Sequence, residues 1–525
     1  MTTTYEIHPG IGIARVGTSR SHHFVGPEPD TPPPSTYRDD QGELLRQAAR
    51  FRVFECERDD RNTLLDAREV TPDLGTVTWT VHLANRKAAG QVFPPPDPPV
   101  PPEQRLRNRG QARAELTIDP GPRTVDGPNR AAPFDTGKFK QEKVFLGEVR
   151  TDGDGRLLVL GGFGRSDSVP AGIPVGPPRG SFANNDDWFD DVSDGPVRAV
   201  VTTADGTTHQ AKPSWVIVSP PDFAPGIPNF VTMYDVARNA AFERNWLTVP
   251  ETPSFTRDIY PLLSRPHAYS WVSGRAGLMH GSERWAPSAP LWKTLADPAT
   301  ALSMRRRLAD RLRDPHARPP SDLGTMPRMH DDTNDPGEVL PPTRVQYLIL
   351  DKWVAGHFVN DWPEERHPGE LLPDALDRAA LQGCSGGAFY PGIEAGRIMA
   401  DADRYSEPYR LDADALEPGA ITEGNALPWQ ADFHLCRDDS PNPPKADEDE
   451  PYLAWWPAQR PDMVFVDLAS FDSGQREYWA RGVDDMADMV RDWHRLGVVA
   501  ERPGADGRPV YLETERRLPR SSPED

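Results

Sequence analysis

Apolar periodicity changes character once along this chain, near residue 240, and that change limits what the chain can fold into. Before it, short apolar runs, often alternating, are broken by Gly, Asp and Pro: "ARFRVFEC", "GTVTWTVHLAN", "KVFLGEVRTDGDGRLLVLGGFG" and "VRAVVTTADGTTHQAKPSWVIVSPPDF". Alternation marks strands with one buried face. The Asp-Gly of "TTADGTTHQ" supplies the positive φ angles of a hairpin turn. After residue 250 the spacing becomes helical in "PSFTRDIYPLLSR", "MRRRLADRLRD", "TRVQYLILDKWVAGHFV" and "LLPDALDRAALQG". In the third of these, Val345, Leu348, Ile349 and Trp353 share a face. In "REYWARGVDDMADMVRDWHRLGVV", Val483, Met486, Val490 and Trp493 recur at three and four, which predicts a long last helix.

These patterns predict an α+β fold, with a β-rich N-terminal domain over residues 1–235 and a mainly α-helical C-terminal domain over 245–525. The 525 residues are too many for one core. The 59 prolines gather in long loops at 93–104 and 170–180, and polar, acid-rich connections run over 363–372 and 438–451.

A net charge of −21 disfavours nucleic acid and anionic membranes as partners. Apolar runs fall short of a membrane span. The first residues have neither a basic n-region nor an apolar h-region, so a cytoplasmic location is expected. Cys56, Cys384 and Cys436 are the three cysteines, which excludes a disulfide scaffold and a four-cysteine metal site. No histidine pair has ligand spacing, so no metal is expected.

Several motifs read more simply than they look. "PGIGIARVG" has Arg15 where a dinucleotide fingerprint needs its third glycine, and a turn-rich first strand fits better. "TDGDG" at 151–155 lacks the acid of a calcium loop and reads as a turn. Trp188 and Phe189, set among acids, are expected to anchor their loop in the core. "GCSGG" matches G-x-S-x-G with Ser385 as nucleophile, but a helical segment precedes it where a nucleophile elbow has a strand. A serine hydrolase using Ser385, with Asp432 and His434 as partners, is therefore the alternative function.

"PWQADFHLC", residues 428–436, lies where the composition reads as loop. It sets Asp432 four residues before Cys436. A buried carboxylate needs a partner or a task, and burial raises a carboxylate's proton affinity, which suits a general base. On an extended segment His434 would share a face with Cys436, which leaves a cysteine hydrolase open.

The chain resembles the quinoprotein amino-acid oxidases typified by L-lysine ε-oxidase and glycine oxidase. "IHPGIGIARVG", "WTVHLANRKAA", "SPPDFAP", "TRDIYPLL", "PGIE", "PWQADFHLC", "WWPAQRP", "ARGVDDMADMVRDW" and "ETER" carry the resemblance in order along nearly the whole chain. It implies a cysteine tryptophylquinone (CTQ), an ortho-quinone made from Cys436 and a downstream tryptophan. Trp455, Trp456, Trp479 and Trp493 are the candidates; spacing favours Trp493, with Trp456 second. Asp432 matches the aspartate needed for cofactor assembly and as catalytic base.

The implied reaction is oxidative deamination of a small primary amine or amino acid through a Schiff base on the quinone, with oxygen reduced to peroxide and ammonia released. The resemblance also implies a separate flavoprotein that matures the cofactor, a homo-oligomer, and possible export without a recognisable signal. Phe189 stands where lysine oxidase has tyrosine and glycine oxidase phenylalanine. Tyr390 stands where lysine oxidase has cysteine, and Lys445 falls near a substrate-pocket lysine. These departures bear on the substrate. A family member that folds unmodified and acts by binding is a further alternative.

Overall fold

The computed structural model describes residues 2–29, 31–60, 63–93, 100–177, 180–181, 183–316, 325–329, 340–363, 370–386, 396–436 and 458–518. The fold is α+β. Its first half forms one large sheet, built on β1 (Thr2–His8), β2 (Ile11–Arg15), β3 (Arg46–Arg58), β4 (Gly75–Val81), β5 (Leu157–Gly161), β7 (Ser193–Thr203) and β8 (Ser214–Ser219), while the short strand β6 (Trp188–Asp190) pairs separately with Ser166–Ser168. Across the middle of the sheet the order is β4, β7, β8, β2, β3, β5. Neighbours there run antiparallel except β8 and β2, which pair in parallel with Ile217 opposite Ile13. All six residues of β8 and all five of β2 are buried, as expected for strands covered on both faces.

The glycines of "PGIGIARVG" serve this packing. A Cβ on Gly12 would lie 2.3 Å from Phe51 Cζ, and one on Gly10 would lie 2.6 Å from the carbonyl oxygen of Tyr409. The segment is a strand, as read from its sequence. The "TTADGTTHQ" hairpin also forms, with Gly206 at φ +86° and Thr202 opposite Thr208. In the "TDGDG" turn Asp152 Oδ1 accepts from the backbone N–H groups of Asp154 and Arg156.

The helices are α1 (Met233–Glu243), α2 (Arg344–Ala355), α3 (Leu372–Gln382), α4 (Trp429–Leu435) and α5 (Met486–Asp492), with shorter turns between them. Capping boxes start α1 at Thr232/Asp235 and α2 at Thr343/Gln346. Gly356, at φ +82°, ends α2. On α2 the face bearing Val345, Ile349 and Trp353 is buried.

Helix α3 docks on the sheet through Asp377, whose Oδ1 accepts from the Gly10 N–H at 2.6 Å and lies 3.1 Å from His8 Nδ1. One continuous apolar cluster runs from Ile7 in β1 to Leu518 near the end of the chain.

The long last helix expected from spacing is short. Gly482 sits at φ +77°, and the Asp485 side chain accepts from the Asp488 N–H, so the helix begins only at Met486. Trp493 lies in a 3₁₀ turn beyond it. Val498–Pro503 and Pro509–Thr514 then pair as an antiparallel hairpin, so the second half is not wholly helical. The 438–451 connection, Lys445 included, half of 93–104 and most of 363–372 lie outside the described residues.

Candidate active site

The "PWQADFHLC" segment is helix rather than loop. Pro428 precedes its first turn and Cys436 ends it, with the Cys436 N–H donating to the Asp432 carbonyl at 2.9 Å. Its neighbours explain why so short a helix holds its place. Trp429, Gln430, Ala431 and Phe433 are all fully buried. The Trp429 ring packs edge-on against Phe433 at 5.0 Å and against Trp493 at 5.1 Å.

The helical period decides which side chains meet. Residues four apart share a face, and residues two apart do not. Asp432 and Cys436 therefore come together, with Cys436 Sγ donating to Asp432 Oδ1 at 3.0 Å. Both are buried, at 0% and 1% exposure. The same period places His434 and Cys436 on different faces of the helix, which corrects the shared face expected of an extended segment.

Ser385 is no nucleophile elbow. It follows α3 after Gly383 and Cys384, so a helix and not a strand leads into it. Its hydroxyl donates to Gln459 Oε1 at 2.8 Å and accepts from Asn229 Nδ2. Cys384 lies 3.6 Å from Arg15 Nη2, and burial pushes its thiol up to about 11, away from thiolate chemistry.

Phe189 is anchored in the core at 1% exposure. Its ring lies 5.4 Å from Phe139, and the Arg165 guanidinium sits 5.2 Å from its centroid. Trp188 is buried beside it. Tyr390, Trp455 and Trp456 lie outside the described residues. Trp479 is buried, and its indole N–H donates to the Gly497 carbonyl at 2.8 Å. Trp493 is buried against Trp429 and Gly164, where a Cβ on Gly164 would come within 2.1 Å of Trp493 Cζ2.

A second cluster has ligand chemistry. One ligand atom each of Glu6, His8 and Cys56, all buried, falls within 4.8 Å of the others. The chain's own cations already serve it. Arg58 and Lys212 pair with Glu6 at 2.6 and 3.1 Å. Burial opposes a charge on His8, but Asp377 beside it outweighs that and holds the imidazolium up to about 10.

Sequence reasoning missed the residues that hold α4 from outside. Lys87, Arg107, Asn185 and Asp190 all bond the 425–429 lead-in. The one visible signal was a lysine set between short apolar runs in "HLANRKAA", with the acid pair Asp190–Asp191 far downstream.

Two family models match the chain: L-lysine epsilon oxidase N-terminal over residues 8–218 and L-lysine epsilon oxidase C-terminal domain over 320–456. The chain belongs to the L-lysine epsilon oxidase family and is an oxidoreductase. It is 26% identical to the L-lysine 6-oxidase of Marinomonas mediterranea, in an alignment covering 97% of this chain and 89% of that one. A solved structure of the epsilon-lysine oxidase from the same organism superposes with a TM-score of 0.77 at 24% identity, covering 98% of this chain and 95% of that one. The Schiff base intermediate of that oxidase with L-Lys superposes at 0.75, with the same identity and coverage. Among the described residues, no helix is long and apolar enough to cross a membrane.

Proposed function

We propose that this protein oxidatively deaminates a small primary amine or amino acid, using a cysteine tryptophylquinone built on Cys436. Oxygen is the electron acceptor, and peroxide and ammonia are products. The observation that carries the reading is the buried pairing of Asp432 with Cys436 at 3.0 Å, in a chain of this family.

The donor set fits the group. Cys436 is a buried thiol outside any disulfide, which suits a thioether, and the adjacent Asp432 carboxylate can take its proton as the bond forms. When formed, the quinone supplies an electrophilic carbonyl for an amine and a sink for two electrons. Asp432 is then placed to receive the proton from the carbon bearing nitrogen. Its burial excludes bulk water from that transfer.

Trp493 is favoured as the partner of Cys436, with Trp456 second, because it is buried against the helix that carries Cys436. Trp493 contacts Trp429 and Gly164, whose carbonyl accepts from Gln430 Nε2 at 3.0 Å. Phe189 and Tyr390 are candidates for shaping the substrate pocket.

Intact mass of protein co-produced with a flavoprotein modifying enzyme tests the reading. A gain of two oxygens with loss of four hydrogens, together with visible quinone absorbance, is expected. An unshifted mass would overturn it. Peptide mapping of the cross-link names the tryptophan.

A further inference from the structure

Helix α4 has no cap of its own. Pro428 offers no side-chain acceptor at its start. The task falls to a buried pair from the sheet half of the chain. Lys87 is 1% exposed and Asp190 0%. The Lys87 ammonium donates to Asp190 Oδ2 at 2.9 Å and to the Ala426 carbonyl at 2.6 Å. The same Asp190 Oδ2 accepts from the Trp429 N–H, the first of the helix, at 3.2 Å. One ammonium and one carboxylate thus tie together the last residues before α4 and its first residue.

The pair is itself held. Asn85 Nδ2 donates to the Asp190 carbonyl and to its Oδ1, each at 2.9 Å. Asn85 Oδ1 accepts from the Lys87 N–H at 3.0 Å. Arg107 donates to the Lys87 carbonyl at 3.0 Å and to the Asn425 carbonyl. Two charges this deep are costly unless paired. Here the pairing is spent on backbone groups that lead directly into the Asp432–Cys436 helix.

We propose that Lys87 and Asp190 are positioning residues that set the register of α4, and so the placement of Asp432 and Cys436. The inference rests on the quinone reading of that helix. Three residues separate Trp429 from Asp432 and seven separate it from Cys436. A helix this short moves as a unit, so a shift at Trp429 is carried to both. Proton transfer and cross-linking both depend on atoms held within about 1 Å, where misplacement costs on the order of a hundredfold.

The test uses the full chain co-produced with its modifying enzyme, as Asp190→Glu and Lys87→Met. Asp190→Glu keeps the charge pair and adds one methylene, a smaller change than the loss of either charge. Asp377→Asn is the control, because it breaks a buried pair on a different helix. For Asp190→Glu we expect a cooperative thermal transition, about a tenfold smaller quinone fraction, and kcat about ten- to a hundredfold lower in the modified fraction with KM nearly unchanged. Asp377→Asn should lower the transition temperature and leave quinone fraction and kcat intact.

Folded Asp190→Glu with wild-type quinone fraction and kcat overturns the proposal, even if Lys87→Met does not fold. If wild-type protein carries no quinone, the functional reading fails, and amide exchange over 425–436 decides the positioning role. Faster exchange in Asp190→Glu confined to that stretch supports it; unchanged exchange refutes it.

Discussion

Asp432 Oδ1 accepts a hydrogen bond from Cys436 Sγ at 3.0 Å across one turn of a helix that is buried from Trp429 to His434. A thiol and a carboxylate so placed share one proton, and under the proposed function they are the sulfur of the cross-link and the base. Asp432→Asn keeps the shape and removes the acceptor charge. We expect that variant to fold with a strongly reduced quinone fraction, and any modified protein to show kcat lower by about 10²–10⁴. Cys436→Ser should abolish the visible quinone band altogether. Spectra and turnover of purified protein check both.

The two tryptophan candidates separate by mutation. Trp493→Phe removes a ring packed on Trp429 and Gly164. It should cost about 1–3 kcal/mol in a denaturant titration and eliminate the quinone. Trp456→Phe should leave the quinone in place. A folded Trp493→Phe protein that keeps the cross-link would move the choice to Trp456.

Ser385 gives a clean test of the hydrolase alternative. Its hydroxyl is committed to Gln459, so Ser385→Ala should cost about 1 kcal/mol for the lost hydrogen bond. Oxidase turnover should survive, and a fluorophosphonate probe should fail to label the wild-type protein. Labelling at Ser385 would restore the alternative.

Asp191 predicts a dependence of stability on pH. Burial pushes its carboxyl up to about 7, and neighbouring Asp190 adds to this against the bonds from the backbone N–H groups of Arg165 and Phe163. A folded-state pKa above the unfolded value means that the native state binds more protons. The stability contribution is full below about pH 4 and is lost as pH rises through about 7, by roughly 4 kcal/mol in total. Asp191→Asn lacks that loss. Its urea midpoint should gain on wild type between pH 4.5 and 7.5, whereas a constant gap would contradict the assignment.

Gly12→Ala places a methyl 2.3 Å from Phe51 Cζ between two central strands. We expect about 1–3 kcal/mol of destabilisation from overpacking, read from thermal or urea unfolding.

Local patterns were good guides where one segment's chemistry settles the outcome. Alternation in "GTVTWTVHLAN" and the Asp-Gly turn became β4 and the β7 hairpin because pleat and turn depend on adjacent residues. The spacing of Val345, Ile349 and Trp353 became the buried face of α2 for the same reason. The last helix failed because Gly482 and Asp485 act on the backbone more strongly than an apolar period that ignores them. "PWQADFHLC" was misread as loop because its helix draws stability from burial against distant residues, and composition carries no trace of that.

The sequence alone determined the α+β character, the family, and the pair Asp432 and Cys436 at a spacing that one helical turn can close. It could not say that the turn is a helix, that His434 and Cys436 lie on different faces of it, or that Lys87 and Asp190, 103 residues apart, meet beneath its first residue. Tertiary structure decided those points. A short helix without its own cap must borrow partners from elsewhere in the chain, and only folding brings them within hydrogen-bonding distance.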